Sequence, residues 1–267
     1  MRRFCLLLLC LVPMLAAGGE PSKPNHVRIA TGDWLPYVGK SLRHDGALAE
    51  LITLAFGRAG YEVEFGYFPW SRGYELVRSG GWDATMPYYC SPERQKLFYC
   101  SEALVEGEQV FFHLKGQAPD WQTLDDLKGV PIGATLGYYY GEAFEAREKD
   151  GTLRVRRIAS DETNMRLLFM GRIKLFPQDK MVGYSLARKL YPNRMHELTH
   201  DPRPLHTQSL HLIFPKNRAR GRQLLEVFDR EFRALRADGT VARYLQALQD
   251  GEYEQPAPSG NAPGQAE

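Results

Sequence analysis

Arg94 is the residue of this sequence whose setting most suggests chemistry. It lies in the stretch PYYCSPERQKLFYCS, with Cys90 and Cys100 on either side. A guanidinium group offers two parallel donors in fixed geometry, so it can orient a carboxylate as well as attract it. From the residues alone two interpretations stay open: Arg94 faces a ligand, or it is a surface charge at a helix start, paired with a neighbour such as Glu93.

The two cysteines beside Arg94 are the ones that an exported protein would keep. Residues 1–18, MRRFCLLLLCLVPMLAAG, place two arginines before a short apolar run and end in small residues. This pattern is typical of a cleaved secretory signal peptide, and its apolar run is too short to span a bilayer. Its removal leaves Cys90 and Cys100, and an even pair in an oxidising compartment suggests one disulfide. Two buried free thiols are the alternative.

The charge balance gives no reason to expect a polyanionic partner. Without Arg2 and Arg3 of the signal peptide, 34 − 2 = 32 basic residues balance 32 acidic ones. A net charge near zero creates no field that favours nucleic acid or an anionic membrane. The C-terminal segment 251–267 is rich in Pro, Gly and Ala and poor in bulky apolar residues, so we expect it to be disordered.

Strand and helix patterns alternate along the chain and must position these residues. A first unit reads as the strand VRIATGD, the helix GALAELITLAFGRAG, the strand YEVEFGYF, the helix PWSRGYELVRSGG and the strand WDATMPYY. The rhythm restarts with the strand VPIGAT, a helix, the strand TLRVRRIA, the helix DETNMRLLFMGR and the strand IKLFPQD. Such alternation is typical of parallel α/β sheets.

Two extended apolar stretches, EGEQVFFHLKG and LHTQSLHLIFPKN, separate the units and predict two crossings between them. The sequence therefore predicts a first lobe made of residues 24–109 plus 207–250, with a second lobe, residues 110–206, inserted into it. Ligands of such folds bind between the lobes, at the carboxyl ends of the strands.

This order of elements resembles the periplasmic solute-binding proteins of the polar amino acid ABC transporter type, extracellular solute-binding protein family 3. The stretches that carry the resemblance are GDWLPY, GALAELITLAFGRAGYEVEF, the PW before LVRSGGWDA, SPER, LKGVPIGATLG and GRIKLFPQD. The resemblance covers roughly residues 27–251. It implies an α/β fold of the periplasmic-binding-protein type, with mainly parallel sheets flanked by helices in each of two lobes.

The resemblance also implies an anion site. In amino-acid binders of this family the arginine of an S/T-x-x-R turn forms a forked pair with the ligand carboxylate, which matches Arg94, and the hydroxyl of that turn matches Ser91. The loop before a second-lobe helix supplies backbone N–H groups to the same carboxylate, and Gly137 and Tyr138 match it. A plain turn between strand and helix is the alternative for this loop.

Three further positions follow from the resemblance. Asp179 matches the carboxylate that binds the ligand ammonium group, although Lys174 and Pro177 depart from the family pattern and put its position in doubt. Trp34 and Tyr37 match the loop that stacks an aromatic ring on the ligand. An aromatic wall with an arginine suits a zwitterion whose side chain is apolar or cationic.

The family resemblance implies a monomeric periplasmic protein without cofactor or metal, which delivers an amino acid or analogue to a membrane permease. A ligand-sensing module for a membrane receptor and a dehydratase-like enzyme are the alternatives, because relatives of this fold serve both. A carboxylate such as Asp33, Glu50 or Asp179 could serve acid–base chemistry. His196 and His200 are four residues apart, but their segment lacks the HExxH arrangement of a zinc site.

Overall fold

The computed structural model describes residues 25–254, so the predicted signal peptide and most of the predicted tail lie outside the described part. Strands and helices alternate through both units, as the patterns predict. The strands are β1 (His26–Thr31), β2 (Glu62–Tyr67), β3 (Ala84–Tyr89), β4 (Phe98–Cys100), β5 (Val105–Leu114), β6 (Ile132–Thr135), β7 (Val155–Ile158), β8 (Phe176–Asp179), β9 (Leu198–His200) and β10 (His206–Pro215). The α-helices are α1 (Ala47–Arg58), α2 (Trp70–Arg78), α3 (Pro92–Leu97), α4 (Glu142–Lys149), α5 (Asp161–Phe169), α6 (Lys180–Leu190), α7 (Ala219–Ala237) and α8 (Thr240–Gln249). Short 3-10 turns cover Arg43–Asp45, Leu124–Leu127 and Pro192–Glu197.

The predicted crossing stretches are the long strands β5 and β10, which pair with each other. Their first halves run antiparallel, with His206 opposite Gln109 and Leu210 opposite Val105. The second half of β5 then pairs with β8 and β9, whereas the second half of β10 pairs with β3 and β4. Each crossing strand therefore joins the sheet of a different unit. The main sheet has the order β2-β1-β3-β10-β5-β8, and β6 and β7 form a separate parallel pair.

The apolar core divides at these crossing strands. One cluster packs α1, α7 and α8 on the first sheet and contains Phe56, Phe228 and Phe232, all fully buried. The second unit has its own clusters, around Phe112 and Phe176 on one face of its sheet and around Tyr140, Phe144 and Trp121 on the other. Separate cores support the division into two lobes, and the lobe boundaries at residues 109/110 and 206/207 stay a prediction.

The packed chain extends further than the predicted disordered tail allows. We expected disorder from residue 251, yet Tyr253 is 2% exposed and belongs to the first-lobe core. Its hydroxyl donates to Glu50 Oε2 at 2.9 Å, and the Arg43 guanidinium lies 5.3 Å from its ring centre. One aromatic ring with a hydrogen-bond partner is sufficient to fix this short segment, and residues 255–267 lie outside the described part.

Candidate ligand-binding cleft

A cavity of about 390 Å³ opens between the two lobes, and it is called the cleft below. Its first-lobe wall comes from the loop after β1, from α2, and from the end of β3 with the start of α3. Its second-lobe wall comes from the loop that follows β6. Five of the residues that the sequence places in a ligand site line this cleft: Trp34, Ser91, Arg94, Gly137 and Tyr138.

Arg94 lies in the first turn of α3, and Ser91 is the N-terminal cap of that helix. The Ser91 side chain caps the helix by accepting a hydrogen bond from the Arg94 backbone N–H at 3.3 Å, with Pro92 at a favourable first position. The arginine side chain is half-buried, and its guanidinium carbon lies 4.8 Å from the centre of the Tyr88 ring. Burial lowers the pKa of Arg94, but a guanidinium stays charged in proteins.

The guanidinium of Arg94 contacts both lobes. Nη1 donates to the Tyr89 carbonyl at 2.7 Å and Nη2 donates to the Gly137 carbonyl at 2.9 Å. Both acceptors are backbone carbonyls, and no carboxylate of residues 25–254 pairs with Arg94, Glu93 included. A partly buried cation without a counter-ion attracts an opposite charge, so this site favours an anionic ligand group.

The turn that carries Arg94 is closed by the disulfide. Cys90 and Cys100 are bonded, with Cα atoms 6.3 Å apart, and they enclose the whole of α3. The disulfide interpretation of the two cysteines is therefore confirmed. The cross-link ties the end of β3 to β4, so it fixes both ends of the segment that presents Arg94.

The loop after β6 faces Arg94 with a carbonyl. Gly137 adopts a positive φ of 82°, a conformation that favours glycine, and turns its carbonyl oxygen toward the guanidinium. The Tyr138 backbone N–H donates to the Thr135 carbonyl at 3.2 Å, while its hydroxyl donates to Asp161 Oδ2 at 2.9 Å. The contact of the Gly137 and Tyr138 backbone N–H groups with a ligand carboxylate stays a prediction.

Trp34 and Tyr37 stack on each other at a ring separation of 5.1 Å. Trp34 is 5% exposed and lines the cleft, and none of the described residues accepts a hydrogen bond from its indole Nε1. Tyr37 does not line the cleft. Its hydroxyl lies 3.4 Å from Asp179 Oδ2, on the other lobe.

Asp179 is buried, 1% exposed, and is the N-terminal cap of α6. Its Oδ1 accepts the backbone N–H groups of Met181 at 3.0 Å and Val182 at 3.2 Å. Burial raises the pKa of this carboxyl to about 6. Asp179 is not among the residues that line the cleft, so its predicted contact with a ligand ammonium group stays a prediction.

A second cavity of about 260 Å³ lies beside the cleft and shares Trp34 and Trp70 with it. Its polar wall includes Asp161, which accepts the Thr135 and Tyr138 hydroxyls at 2.5 and 2.9 Å. Burial raises the pKa of Asp161. The carboxylate is thus already satisfied by two hydroxyl donors.

Tyr74 and Leu136 are among the cleft residues that sequence reasoning missed. Tyr74 lies four positions after Trp70 on α2, which places both rings on one helix face. Leu136 directly precedes Gly137 and is 56% exposed. The spacing of the two rings was a usable signal, whereas an exposed leucine cannot be distinguished from a buried one by its type.

Two residues considered for catalysis or metal binding, Glu50 and His200, have hydrogen-bond partners that do not line the cleft. Glu50 contacts His44 at 2.8 Å and the Tyr253 hydroxyl at 2.9 Å, outside the cleft. His200 Nδ1 contacts the Tyr184 hydroxyl at 2.7 Å. Across residues 25–254 no group of three His, Cys, Asp or Glu side chains is arranged to hold a metal ion.

The family model for bacterial extracellular solute-binding proteins, family 3, matches residues 27–248 of this chain. The chain belongs to this family. The resemblance inferred from the sequence is confirmed, and with it the α/β fold of the periplasmic-binding-protein type. No curated protein sequence matches the chain. Within the part that the structure describes, no helix is long and apolar enough to cross a membrane.

Solved structures of a transporter substrate-binding protein, a sensor domain and an ancestral binding protein share this fold. An amino acid ABC transporter substrate-binding protein from Streptococcus pneumoniae, bound to L-arginine, has a TM-score of 0.69 and 17% identity over 86% of this chain and 97% of its own. A histidine kinase sensor domain similar to periplasmic binding proteins reaches 0.73 and 19% over 85% and 97%. An ancestral amino acid-binding protein, a precursor of cyclohexadienyl dehydratase, reaches 0.67 and 18% over 84% and 95%. At these identities the likeness establishes the fold alone.

Proposed function

We propose that this protein binds a small amino-acid-like solute between its two lobes, with the anionic group of the solute on Arg94. The observation that carries the proposal is a charged guanidinium, half-buried in the cleft, whose partners are carbonyls of both lobes. A guanidinium has five N–H donors, and two of them are in use, so three remain for a ligand oxygen. The L-arginine complex of the Streptococcus pneumoniae protein supports an amino-acid ligand for this fold.

In this proposal the two lobes close on the bound solute. The contacts that join the lobes include Arg94 to Gly137 and Tyr37 to Asp179, and the C-terminal segment adds Ser185 to Glu254 at 3.3 Å. A solute that touches both walls stabilises the closed arrangement by its differential affinity for it.

The proposed setting is the periplasm, reached by a signal peptide of residues 1–18. There the protein works as a monomer, without cofactor and without nucleic acid, and presents its solute to the permease of an ABC importer. The family's description as extracellular supports export. Similar structures that are amino-acid-binding proteins support binding over catalysis.

A sensory role is the second candidate, because a histidine kinase sensor domain shares the fold over 85% of this chain. The cleft would act in the same way, and a membrane receptor would replace the permease. Uptake of the radiolabelled solute separates the two roles: deletion of the gene abolishes uptake if the protein delivers solute, and leaves uptake unchanged if it reports solute.

A thermal-shift screen of the exported protein tests the binding proposal. The ligands are the amino acids, their amine analogues without the carboxylate, and dicarboxylates, since a ligand that binds only the folded state raises the melting temperature. We expect a shift with one class of carboxylate-bearing amino acid and none with its amine analogue. A shift by the amine analogue as large as that by the amino acid would contradict an anion site at Arg94.

A further inference from the structure

Three aromatic rings form one wall of the cleft beside Arg94. The Trp70 and Tyr88 rings meet edge to face at 5.9 Å, and Tyr74 and Tyr88 are tilted at 5.8 Å. Trp70 and Tyr74 come from one face of α2, and Tyr88 comes from β3. Because the Arg94 guanidinium lies over Tyr88, a solute anchored there extends along these rings.

Leu136 forms the opposite wall, on the second lobe. Only three large apolar side chains of residues 25–254 are exposed, and Leu136, at 56%, is the one of them that lines the cleft. An exposed leucine at the mouth of an aromatic cavity leaves apolar area in water that a ligand can cover. Both walls beside Arg94 therefore favour an apolar ligand group.

The carboxylates that line the cleft do not form a cation site. Glu75 pairs with Arg78 at 2.6 Å, and Glu145 pairs with Arg157 at 3.0 Å. Glu93 is exposed on α3, where water screens its charge. A cationic side chain would lose its hydration in the cleft without gaining a buried, unpaired carboxylate.

We propose that the solute is an aromatic amino acid, whose ring lies against Trp70, Tyr74 and Tyr88 and is covered by Leu136. This inference rests on the proposed function and names the class of solute for the same site. An aromatic ring gains edge-to-face contacts with the wall in addition to the area that it buries. The cavity of about 390 Å³ is at the small end of ligand sites, which suits a single amino acid.

Isothermal titration calorimetry with L-phenylalanine, L-leucine, L-arginine and L-glutamine tests the inference. We expect phenylalanine to bind roughly 10- to 100-fold more tightly than arginine or glutamine, the range given by burial of one ring. It should also bind more tightly than leucine, which buries apolar area without ring contacts. Arginine binding more tightly than phenylalanine, or leucine binding equally well, overturns the aromatic assignment while the proposed function stands. Absence of binding by all amino acids overturns both.

A matched pair of variants examines the wall itself. Leu136→Glu adds a carboxylate at an exposed position of the cleft, so the fold is retained, and phenylalanine affinity is expected to fall at least about tenfold. Met170→Glu changes an apolar residue that is 66% exposed and lies at the end of α5, outside the cleft, and it should leave the affinity unchanged. Equal affinities of the two variants would overturn the assignment of Leu136 to the ligand site.

Discussion

The stability of this protein should depend on the protonation of Asp179. This carboxyl is buried at the start of α6, where burial raises its pKa to about 6 from an ordinary value of 3.8. The folded protein therefore holds the Asp179 proton more tightly than the unfolded chain does. The resulting stabilisation is fully present below about pH 4 and is lost as the pH rises through about 6.

The size of this effect follows from the difference between the two pKa values. One pKa unit corresponds to about 1.36 kcal/mol, so the rise from 3.8 to about 6 removes about 3 kcal/mol of unfolding free energy between pH 3 and pH 7.5. The variant Asp179→Asn does not titrate. Its side-chain oxygen can still accept the N–H groups of Met181 and Val182, since asparagine caps helices as well as aspartate does.

Urea denaturation of the wild type and Asp179→Asn across pH 3 to 7.5 measures the effect. We expect the unfolding free energy of the variant, relative to the wild type, to increase by about 3 kcal/mol across this range. Asp126→Asn serves as a control of opposite sign at the acid end of this range, because hydrogen bonds from Thr123 and Gln122 lower the pKa of Asp126, so its contribution to stability is lost as the pH falls below about 4. Parallel pH profiles of the wild type and Asp179→Asn would refute the reasoning.

Two further predictions concern packing and the cross-link. The double variant Cys90→Ser/Cys100→Ser removes a disulfide of sequence separation 10 and should lower the unfolding free energy by about 2.7 kcal/mol, with reduction of the wild type giving the same loss in urea denaturation. Equal stabilities of the oxidised and reduced protein would contradict this. Gly183→Ala would place a Cβ atom 2.2 Å from the Phe112 ring, and overpacking of this kind costs about 1–3 kcal/mol. Gly57→Ala, where a Cβ meets nothing within 4 Å, is the matched helix control and should lose no stability in the same assay; similar losses in both variants would disprove the clash.

Local patterns were sufficient to predict most of the fold. The spacing of Leu224, Leu225, Phe228, Phe232 and Leu235 predicts one buried face of α7; four of these side chains are at most 1% exposed, and Leu225 is partly buried. The two apolar crossing stretches are strands that pair with each other, as a two-lobe chain requires. The buried face of α7 depends on residues close in sequence. The strand pairing depends on main-chain hydrogen bonds, which do not require particular side chains.

The rest of the site depends on contacts between distant residues. Asp179 contacts Tyr37, which is 142 residues away in the sequence, and the same carboxylate also caps α6. No local sequence pattern predicts this double role. Tyr253 lies in a segment whose composition indicates disorder, yet its ring is buried and its hydroxyl donates a hydrogen bond to Glu50. Leu136 is typical of a core residue and is exposed because it faces the cleft.

Calorimetric titration of Arg94→Ala tests the central claim most directly, with Lys96→Ala on the same helix as its control and the best ligand of the thermal-shift screen as titrant. Each hydrogen bond between charged groups contributes about 1.5–3 kcal/mol, so the loss of a forked pair should weaken binding roughly 100- to 10,000-fold. We expect both variants to fold and Lys96→Ala to bind as the wild type does. Unchanged affinity of Arg94→Ala would contradict the assignment of the cleft as an anion-anchored ligand site.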